Sequence, residues 1–547
     1  MKTVITVIAF MASTFCCLAQ SVEDGVKFLY YEKNKSAKET LQKIVTSNPK
    51  DAKAIYWLGQ AYLANEDIAG AKALYQKALT DGVNDAWIWV GMGHVELLEN
   101  GDINSAKQKF EQAITATKGK KGNEDPAILN AIGRANADGN SQQGDPLYGI
   151  EKLKRAAQLD PKNLNILINL GICYLKLGTE HGGEAVEAFR NAAAINPQYA
   201  AAYYRMGKVY QSQNNKESMD EQFSKAIAAD PSFAPVYIAY FLYYGERDVN
   251  VAKEYLDKYV SYADKDCKTD YFVADYLFRA GKYQESLNKT KEMENGACKD
   301  FPRINVLYAY DYDRLGDSLQ AKSYIEKFFA SNPANIEPTD YVFSGKLLAK
   351  FPGSEATAAG YLEKAIELDT VKANKLEYMN TLAGIYGQDS MYDKQFEVFN
   401  KIVGIKGGTP SESDFYKLSK AATDSKNCTL ADSITKAYLT AYPDKPQGYS
   451  FNIAAAKMCD ADTSKGLAVE PIMRYNEFLL KDTANKKKVF VNYYYLLLYY
   501  NDHANDVAKA IGILDQMLAL YPEPGEEHDF ALSTKAQLQK ANKKPGQ

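Results

Sequence analysis

One spacing recurs along this chain and limits its fold more than any other feature. In the stretch from Ala202 to Pro231, Tyr203, Met206, Gly207 and Tyr210 are followed by Met219, Phe223, Ala226 and Pro231. The pattern returns upstream as Leu170, Gly171, Tyr174, Ala185, Phe189, Ala192 and Pro197, with two more residues between its halves, and at the same offsets as Leu58, Gly59, Tyr62, Ala71, Tyr75 and Ala78. Later and weaker copies run through Tyr308, Ala309, Tyr312, Ala321, Ile325 and Pro333, then Leu382, Ala383, Tyr386, Phe399 and Ile402. Self-similarity at a period of about 20 to 50 residues is the mark of a repeat architecture. Within each copy the apolar residues fall three and four apart, which gives two helices with one buried stripe each. Gly207 and Ala226 are small enough to let the two helices approach, while Tyr210 and Phe223 fill the space beside them. The proline lacks an N–H and ends the second helix. A single unit cannot hide its apolar face, so units must stack. The expected fold is all-α, an α-solenoid of about 13 to 14 helix-turn-helix units between residues 22 and 522.

This pattern resembles the tetratricopeptide repeat family, whose signature is W-x2-L-G-x2-Y, then A-x3-F, then P over about 34 residues. The resemblance implies a right-handed superhelix whose concave surface, lined by first helices, holds a protein or peptide partner. It is strong over residues 52–231 and weaker over 236–522, where Phe241, Ala274 or Ser419 replaces the glycine. The chain therefore divides into a leader (1–19), a well-matched array (20–235), a degenerate array (236–522) and a capping helix with a polar tail (523–547). The Gly- and Asp-rich inserts "KGKKGNEDP" and "ADGNSQQGDP" read as surface loops.

The opening "MKTVITVIAFMASTFCCLAQ" places Lys2 before an apolar run and then small residues, the layout of a secretory signal cleaved before Gln20. No later stretch reaches the roughly 18 uninterrupted apolar residues of a membrane span. Export across an inner membrane, most simply to the periplasm, follows. A formal net charge of -4 and a pI near 5.9 argue against nucleic acid, whose binding surfaces are basic. Five cysteines remain after the leader. On the repeat frame Cys267 and Cys298 fall at neighbouring ends of one hairpin, and Cys428 and Cys459 at neighbouring ends of adjacent helices. An oxidising compartment permits both pairs as disulfides; the alternative is four reduced thiols. Cys173 reads as a small core residue.

Chemistry is harder to find. His94, His181, His503 and His528 form no metal-spaced pair, and no phosphate loop, dinucleotide fingerprint or nucleophile elbow occurs. The chain is expected not to be an enzyme and to need no cofactor or metal. The first-helix positions of three well-matched units present Asn130 and Arg134, Asn165 and Asn169, and Tyr204, Arg205 and Lys208. Asn169 and Arg205 match part of the carboxylate clamp that some family members use for acidic C-termini, whereas Ala201 and Asn130 stand where that clamp has lysine. Amides can still bond an extended backbone, and a guanidinium can hold a carboxylate by two parallel bonds. Tyrosine is abundant, 41 residues with runs at 237–247, 308–314 and 492–502, which serves either interfaces or packing. The leading expectation is a scaffold or adaptor for protein segments in the bacterial envelope, including envelope assembly or an outer-membrane complex. The alternative is a glycan-binding or nutrient-capture component on the same frame.

Overall fold

A computed structural model describes residues 21–119, 122–141, 143–331 and 336–542. The leader 1–19, Pro333 and residues 543–547 of the tail lie outside them. Among the described residues the chain forms 29 α-helices and no strand, and it divides into two compact units at Leu315/Gly316. Motif quality falls at residue 235 and the units separate at 315, because sequence regularity and contact density are different properties.

The first unit opens with α1 (Val22–Tyr30), α2 (Asn34–Ser47), α3 (Ala52–Ala64), α4 (Ile68–Thr80), α5 (Ala86–Leu98) and α6 (Ile103–Thr117). It continues with α7 (Pro126–Ala137), α8 (Pro146–Leu159), α9 (Leu164–Leu177), α10 (Gly182–Ile195), α11 (Ala200–Ser212) and α12 (Lys216–Ala229). It ends with α13 (Ala234–Tyr244), α14 (Val249–Tyr262), α15 (Cys267–Arg279), α16 (Tyr283–Asn295) and α17 (Ile304–Arg314). The second unit holds α18 (Ser318–Ala330), α19 (Pro338–Leu348), α20 (Glu355–Leu368), α21 (Lys372–Gln388), α22 (Tyr392–Lys406) and α23 (Glu412–Asp424). Its remaining helices are α24 (Cys428–Ala441), α25 (Pro446–Cys459), α26 (Val469–Leu479), α27 (Lys486–Leu498), α28 (Val507–Leu520) and α29 (Glu526–Asn542). Each odd-numbered helix packs on the even one after it in the pairs that lie wholly within a unit, and successive pairs pack on each other.

The caps are written in the sequence. Asp51, Asp67, Asp85, Asp102, Asp125 and Asp145 each accept a backbone N–H from the first turn of the helix that follows, worth about 1 kcal/mol apiece. The tight turns inside hairpins use left-handed backbone at Glu66, Asn100 and Asn214. Pro161, Pro197 and Pro231 follow the ends of α8, α10 and α12, where helix must stop.

Inside a hairpin the recurring glycine meets the recurring aromatic. A Cβ added at Gly207 would fall inside the Phe223 ring, one at Gly171 inside Phe189, and one at Gly59 inside Tyr75. In the second unit a Cβ added at Gly345 would fall 2.8 Å from Leu362 and 2.9 Å from the Ala358 carbonyl. Phe223 then reaches the next pair, with its ring 5.0 Å from Tyr240. The tyrosine run on α13 largely packs: Tyr237 and Tyr240 are buried, and Tyr255 stacks on Tyr240 and Tyr244 at 4.3 and 5.9 Å. Tyr494 on α27 is 43% exposed, so that run also reaches the surface.

The insert after α7 differs from a free surface loop. Lys176 Nζ donates to the carbonyls of Asp138 and Ser141 at 2.6 and 2.7 Å. Ser141 is buried and its hydroxyl donates to the Leu97 carbonyl. The polar loop residues thus satisfy backbone groups that would otherwise be stranded at the α5–α9 face.

Two disulfides are formed, Cys267–Cys298 and Cys428–Cys459, each with Cα atoms 5.4 Å apart. Cys173 is free and buried, and burial pushes its thiol up to about 12. Asp311 on α17 is fully buried, with one carboxylate oxygen unpartnered among the described residues. Its other oxygen lies 3.0 Å from the Ser286 hydroxyl, which also lies 3.0 Å from the Ala274 carbonyl. Burial pushes the Asp311 carboxyl up to about 7, against the pull of Ser286.

Four outcomes follow from this packing. Gly207→Val should destabilise the chain by about 1–3 kcal/mol in urea melts through overpacking against Phe223. Gly360→Ala, at an exposed α20 position whose Cβ meets nothing within 4 Å, should stabilise by about 0.5–1 kcal/mol. Non-reducing peptide maps should show the 267–298 and 428–459 cross-links, and Cys267→Ser with Cys298→Ser should cost about 3 kcal/mol. Asp311 is protonated more readily folded than unfolded. Stability should therefore fall as pH rises from about 4 through 7, and Asp311→Asn should flatten that slope, recovering about 2–4 kcal/mol above pH 7.

Candidate functional site

Six first helices of the N-terminal unit, α1, α3, α5, α7, α9 and α11, converge on two adjoining cavities. The larger, about 450 Å³, is lined by Trp57, Trp87, Asn130, Arg134, Asn165 and Tyr199 together with Lys27, Tyr30 and Tyr31 of α1 and its end. The smaller, about 280 Å³, lies between Tyr30, Glu32, Arg134, Asp138, Asn169 and Arg205. Tyr30 and Arg134 line both.

The sequence-predicted residues separate into four groups. Asn130, Arg134, Asn165 and Asn169 come together. Asn169 Nδ2 donates to Asn130 Oδ1 at 2.9 Å, and the Tyr199 hydroxyl donates to Asn165 Oδ1 at 2.8 Å. Asn169 is buried rather than displayed, because the Tyr30 hydroxyl sits 3.4 Å from its amide. Arg205 lines the smaller cavity with its guanidinium 5.6 Å from the Tyr204 ring. Tyr204 itself is a packing residue: it is buried, with its ring 6.0 Å from Phe223 and 5.5 Å from Phe233. Lys208 is exposed, donates to Gln211 at 2.8 Å and lines neither cavity. One helical turn beyond Arg205, it sits beside the smaller cavity, near enough to Glu32 and Arg205 to feel their charges.

Arg134 is the centre. Its guanidinium lies 4.8 Å from the Trp57 ring and 6.0 Å from the Tyr30 ring, an arrangement that holds a planar cation between aromatic faces. Its Nη1 is buried with no hydrogen-bond partner among the described residues. Below it, Asp138 is committed elsewhere, 3.0 Å from His94 Nε2, whose Nδ1 meets Gln60. Burial raises the Asp138 carboxyl, but the His94 hydrogen bond and charge, with Arg134 adding, outweigh it and hold the group well below the usual range. Burial also raises the Tyr30 hydroxyl, partly offset by Arg134 and Asn169. The lining of the larger cavity carries three cations, Lys27, Lys53 and Arg134, against Glu23, and Glu23 is paired with Lys53 at 2.9 Å. The site can therefore offer cationic N–H donors, amides and aromatic faces together.

Sequence reasoning missed Tyr30, Tyr31, Trp57, Trp87 and Tyr199. Trp57 on α3 and Trp87 on α5 sit at first-helix positions and were open to the same reading that found Asn130. Tyr30 carried no signal, since its partners lie more than a hundred residues on.

Among the described residues no helix is long and apolar enough to cross a membrane, and no cluster of three His, Cys, Asp or Glu could hold a metal. Family profiles described as "Tetratricopeptide repeat" match residues 29–89 and 200–233, and one described as "TPR repeat" matches 183–214. The chain is a tetratricopeptide repeat protein. Tetratricopeptide repeats build protein-interaction scaffolds. The BBSome complex member BBS4 of Bos taurus is 23% identical over 290 residues, 47% of this chain and 55% of that protein. A probable UDP-N-acetylglucosamine–peptide N-acetylglucosaminyltransferase, SPINDLY, of Solanum lycopersicum is 36% identical over 76 residues, 14% of this chain and 8% of that protein. The chain thus spans about half the length of the first relative and a small part of the second. Among solved structures, the C-terminal part of a tetratricopeptide repeat protein from Cytophaga hutchinsonii covers 47% of this chain and 97% of its own, at 24% identity and a TM-score of 0.30.

Proposed function

We propose that this tetratricopeptide repeat protein is a non-enzymatic scaffold that holds an extended protein segment against the inner face formed by α3, α5, α7, α9 and α11, and that it works in the bacterial periplasm. The observation that carries the reading is the cluster around Arg134. A guanidinium in the lining with one buried donor left unsatisfied among the described residues, flanked by Asn130, Asn165 and aromatic rings in a cavity of about 450 Å³, suits a polypeptide backbone with an acidic group beside it. The groove reading moves from Lys208 and Tyr204 to Arg134 and Trp57, while Arg205 stays at its edge. The two disulfides and the leader-like first residues support a compartment outside the cytosol. Non-catalytic action is supported by a lining whose carboxylate, Glu23, is already paired.

A photo-crosslinking residue at Ala127 in intact cells, read by mass spectrometry, tests this. Crosslinks to a defined protein segment are expected, falling at least about tenfold with Arg134→Glu, since truncating a charge-assisted contact costs over about 1.4 kcal/mol. Crosslinks indifferent to Arg134 would overturn the site.

A second reading has its own observation: two of the three tryptophans, Trp57 and Trp87, line this cavity, and aromatic faces beside amides also suit a glycan. Saturable binding on a glycan array, lost in Trp57→Ala, would favour it over the protein segment.

A further inference from the structure

The hairpin α1–α2 has packing neighbours on two sides, although it opens the array. The Tyr31 hydroxyl donates to Asp230 at 2.5 Å, and its ring stands edge-on to Phe233 at 5.1 Å. Ser36 donates to Asp264 from its backbone N–H at 2.9 Å and from its hydroxyl at 2.5 Å, and Lys35 Nζ reaches the Lys265 carbonyl at 3.2 Å. These partners, in the loops before α13 and α15, lie 199 and 228 residues on in sequence. By contrast α1 fully buries only Gly25 and Leu29, and α2 only Ala37, Thr40 and Leu41. A terminal repeat with one neighbour is the first part of such an array to open. Here a few polar contacts between part-buried loops supply the second neighbour, and they close one turn of the array over Arg134, Asn169 and Arg205.

We propose that the α1–α2 hairpin is a strap: it opens and recloses as a unit, hinged at the α2–α3 connection, and it uncovers the inner face when Tyr31 and Ser36 release Asp230 and Asp264. The purpose of the strap rests on the scaffold reading, because an internal segment of a partner chain cannot enter a closed turn sideways. Its existence does not. Apart from the Tyr31–Phe233 ring contact the latch is polar, so releasing it exchanges protein hydrogen bonds for water at small net cost, and the larger cost of opening is parting Leu29, Ala37 and Leu41 from the α3 residues they pack with. The cavity wall it carries, Lys27, Tyr30 and Tyr31, leaves with it.

Hydrogen exchange on the full chain tests the strap without any partner. In Tyr31→Phe/Ser36→Ala, peptides covering residues 21–47 should exchange at least about tenfold faster, as one block, while those covering α3 to α12 stay unchanged. In Ser36→Cys/Asp264→Cys under oxidising conditions the same peptides should exchange slower than in the unaltered protein. Unchanged protection at 21–47 in the first variant would overturn the proposal, as would loss spread evenly through the unit. Should the first variant fail to fold, the second decides: exchange no slower than in the unaltered protein would also overturn it. If the strap behaves as stated but inner-face crosslinks are absent, the scaffold reading falls alone.

Discussion

A helical hairpin in water has an apolar stripe that it cannot cover by itself, and every feature of this molecule answers that constraint. Covering the stripe needs the two helices to close on each other and then on the next pair. The first step is possible because the inner helix has no Cβ where the outer helix brings its ring, as at Gly207 under Phe223 and Gly59 under Tyr75. The second uses what remains of those rings, as Phe223 does against Tyr240. Local packing of this kind propagates without long-range information, which is why degenerate copies persist when one of the two partners is replaced. In the second unit Leu362 takes the place of the aromatic over Gly345.

Once pairs stack, the inner surface of the first unit is made of first helices, and their polar residues are brought side by side from different repeats. Asn130 and Asn169 are 39 residues apart in sequence and hydrogen-bonded. Arg134 is held between Trp57 and Tyr30, which come from two other helices. Such a cation, desolvated by rings and short of an acceptor, is costly unless an acceptor arrives. Asp138 does not serve, since His94 already engages it. The buried Asp311 shows the other resolution of the same problem: with Ser286 beside it and no cation in contact among the described residues, burial favours the neutral form of the carboxyl.

Much of the fold was legible because a repeat writes its packing into each copy. Helix pairing, the proline stops, the aspartate caps and the neighbouring ends that carry Cys267–Cys298 and Cys428–Cys459 follow from offsets within a few tens of residues. The candidate site was legible in part. Asn130, Arg134, Asn165 and Asn169 share a face by helical periodicity, but Tyr204 looked equally available and turns into the core, because the Phe223 and Phe233 rings lie where it points. The insert after α7 looked like solvent-exposed loop and is clamped by Lys176, a contact outside its own repeat.

The sequence by itself determined the secondary structure, the hairpin unit and the stacking order, since each depends on interactions between residues one or two helices apart. The tertiary structure alone decided that the array's first hairpin meets the loops before α13 and α15, that Tyr30 covers the inner face, and that two cavities result. Contacts across roughly two hundred residues depend on small rotations accumulated over many repeats, and no single repeat records that sum.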